Sequence, residues 1–313
     1  MKNDFELINV LISKQKLEEK LNLMIYGSAE IREKGGKKYI YVHYRDGGVL
    51  TTKYAGEYTD ELYNLILNNN AEVKKIKKEI KTLEKKLKEL GYSFPGLSDK
   101  VKLNIDFAKR NMAMTIYDQA ILEGVATTFV DTENIIEGGK VNNMTSDDIM
   151  KIINLKHAWE FILNENVVLS PDNFSLLSQI NKLVIEGFYY NAGVVRSTPV
   201  RIGGTTWSPS IPIESEIISE MDELVNSDLS EVDKATELLL YVMKRQIFID
   251  GNKRTAVLFA NHYLISHGLG IIAIPADLTD EYKKLLISYY EGKDESKIKM
   301  FLKEKCYIAL KWG

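Results

Sequence analysis

Five consecutive residues in the second half of the chain combine an acid, a glycine, an amide and two cations: Asp250, Gly251, Asn252, Lys253 and Arg254. Backbone N–H groups at the start of a helix attract anions, and nearby cations strengthen that attraction. A carboxylate beside such a site can hold a divalent metal ion. The segment therefore indicates a phosphate site with a metal ion at Asp250, although a solvated helix corner has the same short pattern.

Apolar residues at helical spacing lie on both sides of this segment. Before it come Leu239, Val242 and Met243, and after it come Val257, Leu258, Leu264 and Ile265. This periodicity predicts two helices joined by a tight loop over residues 236–268.

The loop and its flanks resemble the signature of the Fic family (Fic/Doc, or Fido), HxFx(D/E)GNxRxxR. The matching residues are Phe248, Asp250, Gly251, Asn252 and Arg254. The signature histidine is replaced by Gln246, and the last signature arginine is replaced by Val257. The resemblance extends over residues 100–305 or so and implies a Fic domain.

The resemblance implies transfer of AMP from Mg–ATP to a Ser, Thr or Tyr hydroxyl of a protein. It implies that Asp250 holds Mg²⁺, that the backbone of Gly251, Asn252 and Lys253 cradles the phosphates, and that Arg254 clamps them. It also places four further residues near the nucleotide: Phe248, Asn261, Ile202 and Gly203. Of these, Phe248 is better explained as a core anchor of the loop.

Gln246 stands where the family has its general base. A glutamine can orient a hydroxyl but cannot accept its proton, and a positioned base contributes roughly 10²–10⁴ in rate. We therefore expect a weakened transferase. Two alternatives stay open: a catalytically silent nucleotide-binding module that acts as a sensor or interaction protein, and Doc-like phosphate transfer, because the Doc group has a lysine at the position of Lys253.

Two other segments resemble parts of the family. Residues 194–212, with Gly203-Gly204 between β-branched residues, predict the β-hairpin flap that covers the family's active site. Residues 98–124 resemble the inhibitory helix with the motif (S/T)xxxE(G/N), in which Glu123 and Gly124 match and Gln119 takes the first position. Since the arginine partner is Val257, Glu123 is expected either to pair with Arg254 or to have no regulatory role.

The fold class expected is mainly α. Residues 96–313 are predicted to form a helical Fic-type bundle with its flap, including helices over residues 231–247, 252–267 and 295–311. Residues 1–95 are predicted to form a small α+β domain with a first helix, a β-hairpin and a coiled-coil-like helix. The hairpin follows from strand formers at 38–44 and 49–54 around Gly47-Gly48. Helix 59–90 has an a/d seam from Val73 to Leu90, which predicts either packing onto the first helix or a homodimer.

Charge and composition bear on the binding partners and the location expected for the protein. The 313 residues carry a net charge of −3, distributed as +4 over residues 1–95 and −7 over the rest. A mildly basic N-terminal part with tyrosines and lysines in its hairpin could bind nucleic acid, or an antitoxin could bind the chain. No run reaches the ~18 apolar residues of a membrane helix. The first residues lack a signal-peptide pattern, and Cys306 is the single cysteine, so a cytoplasmic protein is expected.

Overall fold

The computed structural model of the chain describes residues 2–46, 49–92 and 96–310. It divides into two units, Lys2–Ser93 and Phe94–Gly313. The predicted turn at Gly47-Gly48, residues 93–95 of the predicted domain break and residue 311 of the last predicted helix lie outside the described residues. None of the described helices is long and apolar enough to cross a membrane.

Two long helices form an antiparallel pair in the N-terminal unit: α1 (Lys2–Leu23) and α2 (Asp60–Glu89). Their direction follows from two interhelical ion pairs, Lys20 with Glu72 and Lys86 with Glu6. The buried apolar positions of both helices are Leu7, Ile8, Val10, Leu11, Ile66, Val73, Ile76 and Leu87. The predicted seam of α2 therefore folds back on α1.

Between these helices the chain forms a three-stranded antiparallel sheet of β1 (Ser28–Lys34), β2 (Lys37–Asp46) and β3 (Val49–Glu57), in that order. The β2–β3 hairpin is the predicted one, and β1 is a strand that the sequence analysis did not predict. Alternation along β2 sends Ile40 and Val42 into a small core with Ile66 of α2. Tyr41 and Tyr54 lie opposite each other on the other face, with ring centroids 5.5 Å apart.

The C-terminal unit is built mainly from helices. They are α3 (Asp99–Leu122), α4 (Phe129–Ile136), α5 (Ser146–Ile162), α6 (Phe174–Val184), α7 (Glu214–Val225), α8 (Glu231–Arg245), α9 (Asn252–Ser266), α10 (Thr279–Tyr290) and α11 (Glu295–Phe301). Thirteen of the fifteen residues of α9 are buried. A helix that is buried on all sides lies at the centre of its domain. The loop before α9 is therefore fixed by the core.

The end of the unit differs from the predicted helix over 295–311. The α-helix ends at Phe301, a π-helical turn covers Leu302–Cys306, and Tyr307–Ala309 forms a strand, β5. This strand pairs with β4 (Gly270–Ile272), which follows α9. Because the partner strand lies far away in the sequence, local periodicity could not reveal the pairing.

The expected hairpin over 194–212 is also corrected. Residues 203–204 form a turn, as predicted, but the described residues on either side of it are irregular and contain no strand. The carbonyls of Thr198 and Ser210, one from each arm, both accept hydrogen bonds from the guanidinium of Arg196, at 2.7 and 2.6 Å. A buried side chain thus joins the two arms in place of a backbone ladder.

Candidate active site

The α8–α9 loop begins with a left-handed residue. Gln246 has φ 45° and ends α8 by donating its backbone N–H to Val242. Positive φ is uncommon for residues other than glycine, and it turns the chain sharply out of the helix. The carbonyl of Gln246 then accepts a hydrogen bond from Nε of Arg196 at 2.6 Å. The buried guanidinium of Arg196 therefore helps to hold the turn.

The side chain of Gln246 is half-buried and held by its neighbours. Its Nε2 donates to the carbonyl of Met243 at 2.6 Å, and its Oε1 accepts from Nδ2 of Asn252 at 3.3 Å. Burial raises the pKa of Tyr290, and a hydrogen bond between Tyr290 and Gln246 offsets only part of that rise. Both side chains are therefore neutral at ordinary pH, and neither supplies a base there.

Asn252 closes the loop on itself. Its Oδ1 accepts from the N–H of Phe248 at 2.9 Å, and its Nδ2 donates to the carbonyl of the same residue at 2.8 Å. Phe248 is completely buried and stacks on Phe174 of α6 with ring centroids 6.5 Å apart. The structure thus makes Phe248 the core anchor of the loop.

Gly251 is the N-cap of α9 and has φ 74°. A Cβ there would lie 2.6 Å from Cγ2 of Ile185, so the position has room for glycine only. Glycine has no side chain to bond the first N–H groups of the helix, and no described side chain caps α9. These N–H groups therefore remain available to an anion, which is the arrangement of a phosphate site.

Two cations and two carboxylates meet beside this helix start. Arg254, only 4% exposed, lies 3.3 Å from Asp250 (Nη2 to Oδ2) and 3.3 Å from Glu123 (Nε to Oε2). Lys253 lies 3.1 Å from the other oxygen of Glu123. Glu123 follows the last residue of α3, so a distant helix supplies the carboxylate that both cations share.

The charge of Glu123 depends on these two partners. Burial alone would raise the pKa of its carboxyl, but the positive charges of Lys253 and Arg254 outweigh burial and hold the pKa below its ordinary value. The carboxylate is therefore ionised at neutral pH. A buried anion between two cations at the start of a helix lies where the phosphate of a ligand would find the same partners.

The surroundings of Glu123 explain the changed signature. Val257, at the position of the last signature arginine, is buried in the core of the unit. Arg254 and Lys253 together take the place of that arginine as partners of Glu123. Gly124 follows with φ 79°, a conformation that suits glycine at the end of α3. Gln119, one turn earlier, is buried, and its amide has no hydrogen-bond partner among the described residues.

Asp250 is the candidate metal ligand of the loop. Its side chain is 44% exposed, and its backbone carbonyl accepts from Nδ2 of Asn181 at 3.0 Å. Among the residues described, no group of three or more His, Cys, Asp or Glu side chains forms a metal cage. Magnesium is often held by one or two carboxylates together with substrate phosphates, and a single partly exposed Asp250 fits that mode.

The loop over residues 194–212 lies against the same region. Trp207 stacks on Tyr290 at the end of α10, with centroids 5.2 Å apart and an interplanar angle of 13°. Thr205 donates to Glu291 at 2.8 Å. Ile202 is half-buried and Gly203 is exposed at the tip. The flap is thus fixed at both its base and its middle.

Asn261, which the family resemblance places near the nucleotide, is hydrogen-bonded within the core. Its Nδ2 donates to the carbonyls of Val257 and Ile272, at 2.9 and 2.8 Å, and its Oδ1 accepts from the N–H of Ile272 at 2.9 Å. The side chain is completely buried. It joins α9 to β4 through these hydrogen bonds to the backbone.

The nearest histidine of the same helix is also structural. His262 is completely buried, with Nδ1 2.7 Å from Oδ1 of Asp172 and Nε2 3.1 Å from the carbonyl of Val167. It therefore does not replace the missing signature histidine.

Three residues that hold the site were not predicted from the sequence: Asn181, Trp207 and Tyr290. Asn181 donates to Asp250 and to the hydroxyl of Thr255, at 3.0 and 3.1 Å, and accepts from the N–H of Gly193. An asparagine in the middle of the apolar helix α6 was the available signal, because a buried amide needs several partners. No comparable pattern pointed to Trp207 or Tyr290.

Comparison with known proteins agrees with this geometry. Residues 172–264 match the model of the Fic/DOC family. No protein of curated function matches the chain. Among solved structures, a Fic domain containing signaling protein from Bacteroides thetaiotaomicron has a TM-score of 0.54 and 20% identity, over 71% of this chain and 89% of that one.

Two further solved structures have the same fold. Fic-1 from C. elegans has a TM-score of 0.54 at 17% identity, over 78% of this chain and 73% of that one. A Fic family protein from Desulfovibrio desulfuricans has a TM-score of 0.52 at 15% identity, over 68% and 74%. The mainly α fold is therefore the one that these Fic proteins have, and residues 172–264 match the Fic/DOC family model. These low identities carry no conclusion beyond the fold.

Proposed function

We propose that this chain, with its Fic/DOC region, binds Mg–ATP at the α8–α9 loop and transfers AMP to a Ser, Thr or Tyr hydroxyl of a protein, at a rate reduced by Gln246. The observation that carries the proposal is the uncapped start of α9 beside Arg254 and Lys253. Free N–H groups and two cations in one place fit a chain of phosphates.

Asp250 would hold the magnesium ion, which would neutralise phosphate charge when bound. Asn252 keeps the loop in its shape through both of its hydrogen bonds to Phe248, so the phosphate-binding N–H groups need no rearrangement. Arg254 is almost completely buried, and a buried guanidinium interacts more strongly with phosphate than an exposed one does. These residues account for binding and electrostatic stabilisation.

In the transfer, the hydroxyl oxygen of the acceptor forms a bond to the α-phosphorus, and the bond to the bridging oxygen of pyrophosphate breaks. The hydroxyl proton must also leave. Gln246 can accept a hydrogen bond from that hydroxyl but cannot take the proton, which therefore passes to water or to a phosphate oxygen. We expect the chemical step to be slower by roughly 10²–10⁴ than with a positioned base.

Two alternatives differ in what happens to bound ATP. A sensor would bind ATP and transfer nothing. A Doc-like enzyme would transfer the terminal phosphate, and Lys253 favours that reading. Gly251 departs from the Doc pattern, since the Doc group has alanine at that position.

The test uses the full chain with Mg–ATP and a cell lysate, with the label on the α-phosphate in one reaction and on the γ-phosphate in another. Protein labelling from the α position, absent in an Arg254→Ala chain and retained in Arg201→Ala, supports the proposal. Arg201 is an exposed arginine of the flap and serves as the matched control. Labelling from the γ position supports Doc-like transfer, and ATP binding without any labelling supports the sensor.

A further inference from the structure

The N-terminal unit contains a cavity that the proposed function does not use. Its volume is about 280 Å³, and it lies between the end of α1, the sheet and α2. Its polar and aromatic lining consists of Asn22, Tyr26, Tyr44, Arg45, Lys53 and Lys77. Ligand pockets range upward from ~300 Å³, so the cavity has the size of a small molecule.

Three cations from three elements meet at this cavity: Arg45 of β2, Lys53 of β3 and Lys77 of α2. No described carboxylate lines it. Arg45 and Lys53 form no ion pair with any described side chain, and Lys77 lies over the ring of Tyr26, 5.1 Å from its centroid. Converging positive charges without a carboxylate create a potential that favours an anion.

Cations elsewhere in the described part of the N-terminal unit include both paired and unpaired side chains. Its other elements also carry lysines, and several of them are paired: Lys20 with Glu72, Lys86 with Glu6, and Lys37 with Glu57. The described lining of the cavity contains no such carboxylate partner.

The rings define the other part of the cavity. Tyr26 and Tyr44 lie with centroids 5.3 Å apart and an angle of 48°. An amide, Asn22, adds a neutral hydrogen-bonding group. Cations for a phosphate, ring surfaces for an organic part and an amide for orientation form the usual composition of a small-ligand site.

We propose that this cavity binds a small phosphate-bearing anion, up to the size of a mononucleotide. The Arg45 fork and the Lys53 and Lys77 ammonium groups contact the phosphate, and the tyrosine rings contact any organic part. The site lies in a different unit from the α8–α9 loop, so the proposal does not depend on the transferase activity.

The test is calorimetric titration of the full chain with inorganic phosphate and, separately, with AMP. Each titration is made in an Arg254→Ala background, so that the α8–α9 loop does not contribute. The test variant is Lys53→Gln/Lys77→Gln. The control is Lys38→Gln/Lys78→Gln, which makes the same charge change on one strand and one helix at exposed positions outside the cavity. Thermal melting verifies that each variant is folded.

We expect binding that weakens at least about tenfold in the test variant and stays unchanged in the control. AMP binding more tightly than phosphate would show that the rings contribute, and equal affinities would identify the phosphate as the whole ligand. Absence of binding in the Arg254→Ala background, or equal losses in the test and control variants, would overturn the proposal. Binding of a single-stranded oligonucleotide but of neither small probe would also overturn it, in favour of a nucleic-acid surface.

Discussion

Glu123 and Arg254 form a buried ion pair at the start of α9, with Nε of Arg254 3.3 Å from Oε2 of Glu123. The same carboxylate lies 3.1 Å from Lys253. Both cations that would bind phosphate are thus already paired with a carboxylate of the chain. An ATP phosphate would compete with Glu123 for them.

Replacement of Glu123 by Gln should therefore raise ATP affinity. A coupling of about 1–3 kcal/mol corresponds to 5–150-fold, and we expect about tenfold. Isothermal titration with Mg–ATP measures the change. Glu160→Gln, which removes a surface partner of Lys156 in the same unit, is the control and should leave the affinity unchanged. Equal ATP affinities for wild type and Glu123→Gln would rule out competition.

The lowered pKa of Glu123 predicts that mild acid changes the competition between Glu123 and ATP only weakly. Because the pKa of Glu123 is held below its ordinary value, its contribution to stability is present above that ordinary value and is lost only as the pH falls through the lowered pKa. The ratio of ATP affinities between Glu123→Gln and wild type should thus be the same at pH 8 and pH 6. A ratio that falls towards one at pH 6 would show that Glu123 is protonated there.

Gly251 should not tolerate a side chain. An alanine would need a left-handed backbone, at about 1–2 kcal/mol, and its Cβ would lie 2.6 Å from Ile185. We expect Gly251→Ala to lower the stability of the C-terminal unit by about 2–3 kcal/mol and to weaken ATP binding. Gly203, whose added Cβ would meet nothing within 4 Å, is the matched control. Thermal melting should separate the two variants, and similar melting temperatures would contradict this description of the loop.

Arg196 should keep the two arms of the flap in their folded arrangement. Its guanidinium donates to three carbonyls, those of Thr198, Ser210 and Gln246. We expect Arg196→Met to cost about 2 kcal/mol and to make residues 198–210 sensitive to protease, because a buried charge-assisted network is lost. Arg201→Met changes an exposed arginine of the same loop and should have neither effect. An Arg196→Met chain as resistant to protease as wild type would contradict the role.

The raised pKa of Asp118 predicts that the stability of the chain also depends on pH. Burial raises the pKa of this carboxyl to about 6, although it accepts a hydrogen bond from the N–H of Ala276 at 3.0 Å. A raised carboxyl pKa favours the protonated native state, so stability falls as the pH rises towards about 6. Asp118→Asn should therefore raise stability at pH 8 by about 1 kcal/mol, or about 2 °C in melting temperature, with a smaller gain at pH 4.5. An equal gain at both pH values would contradict the raised pKa.

The two helices on either side of the candidate site loop were predictable because apolar residues recur in them at helical spacing. The segment predicted over 252–267 is the helix Asn252–Ser266, and that over 231–247 is Glu231–Arg245. Residue types alone indicated how the loop ends before α9. Gly251 suits a left-handed N-cap, and an acid and two cations lie next to it in the sequence. The turn at Gly203-Gly204 followed from the same local chemistry.

What sequence could not give is the pairing of groups far apart in the chain. Glu123 and Lys253 are separated by more than one hundred residues, and their contact depends on how α3 packs beside α9. The arms of the flap had the composition of strands, but Arg196 takes their carbonyls. The partner of β5 is β4, which comes before α10 and α11 in the sequence. Local periodicity therefore predicted that the last helix continues through the residues of β5.

The central claim is that Gln246 slows an otherwise complete transfer site, and a Gln246→His chain tests it most directly. Histidine is among the residues that tolerate the left-handed backbone found at position 246. Initial rates of α-label transfer from Mg–ATP, measured beside equilibrium ATP binding, should rise by roughly 10²–10⁴ in the variant while ATP affinity stays within about twofold of wild type. A Gln246→His chain that binds ATP as wild type does and transfers label no faster would contradict the account.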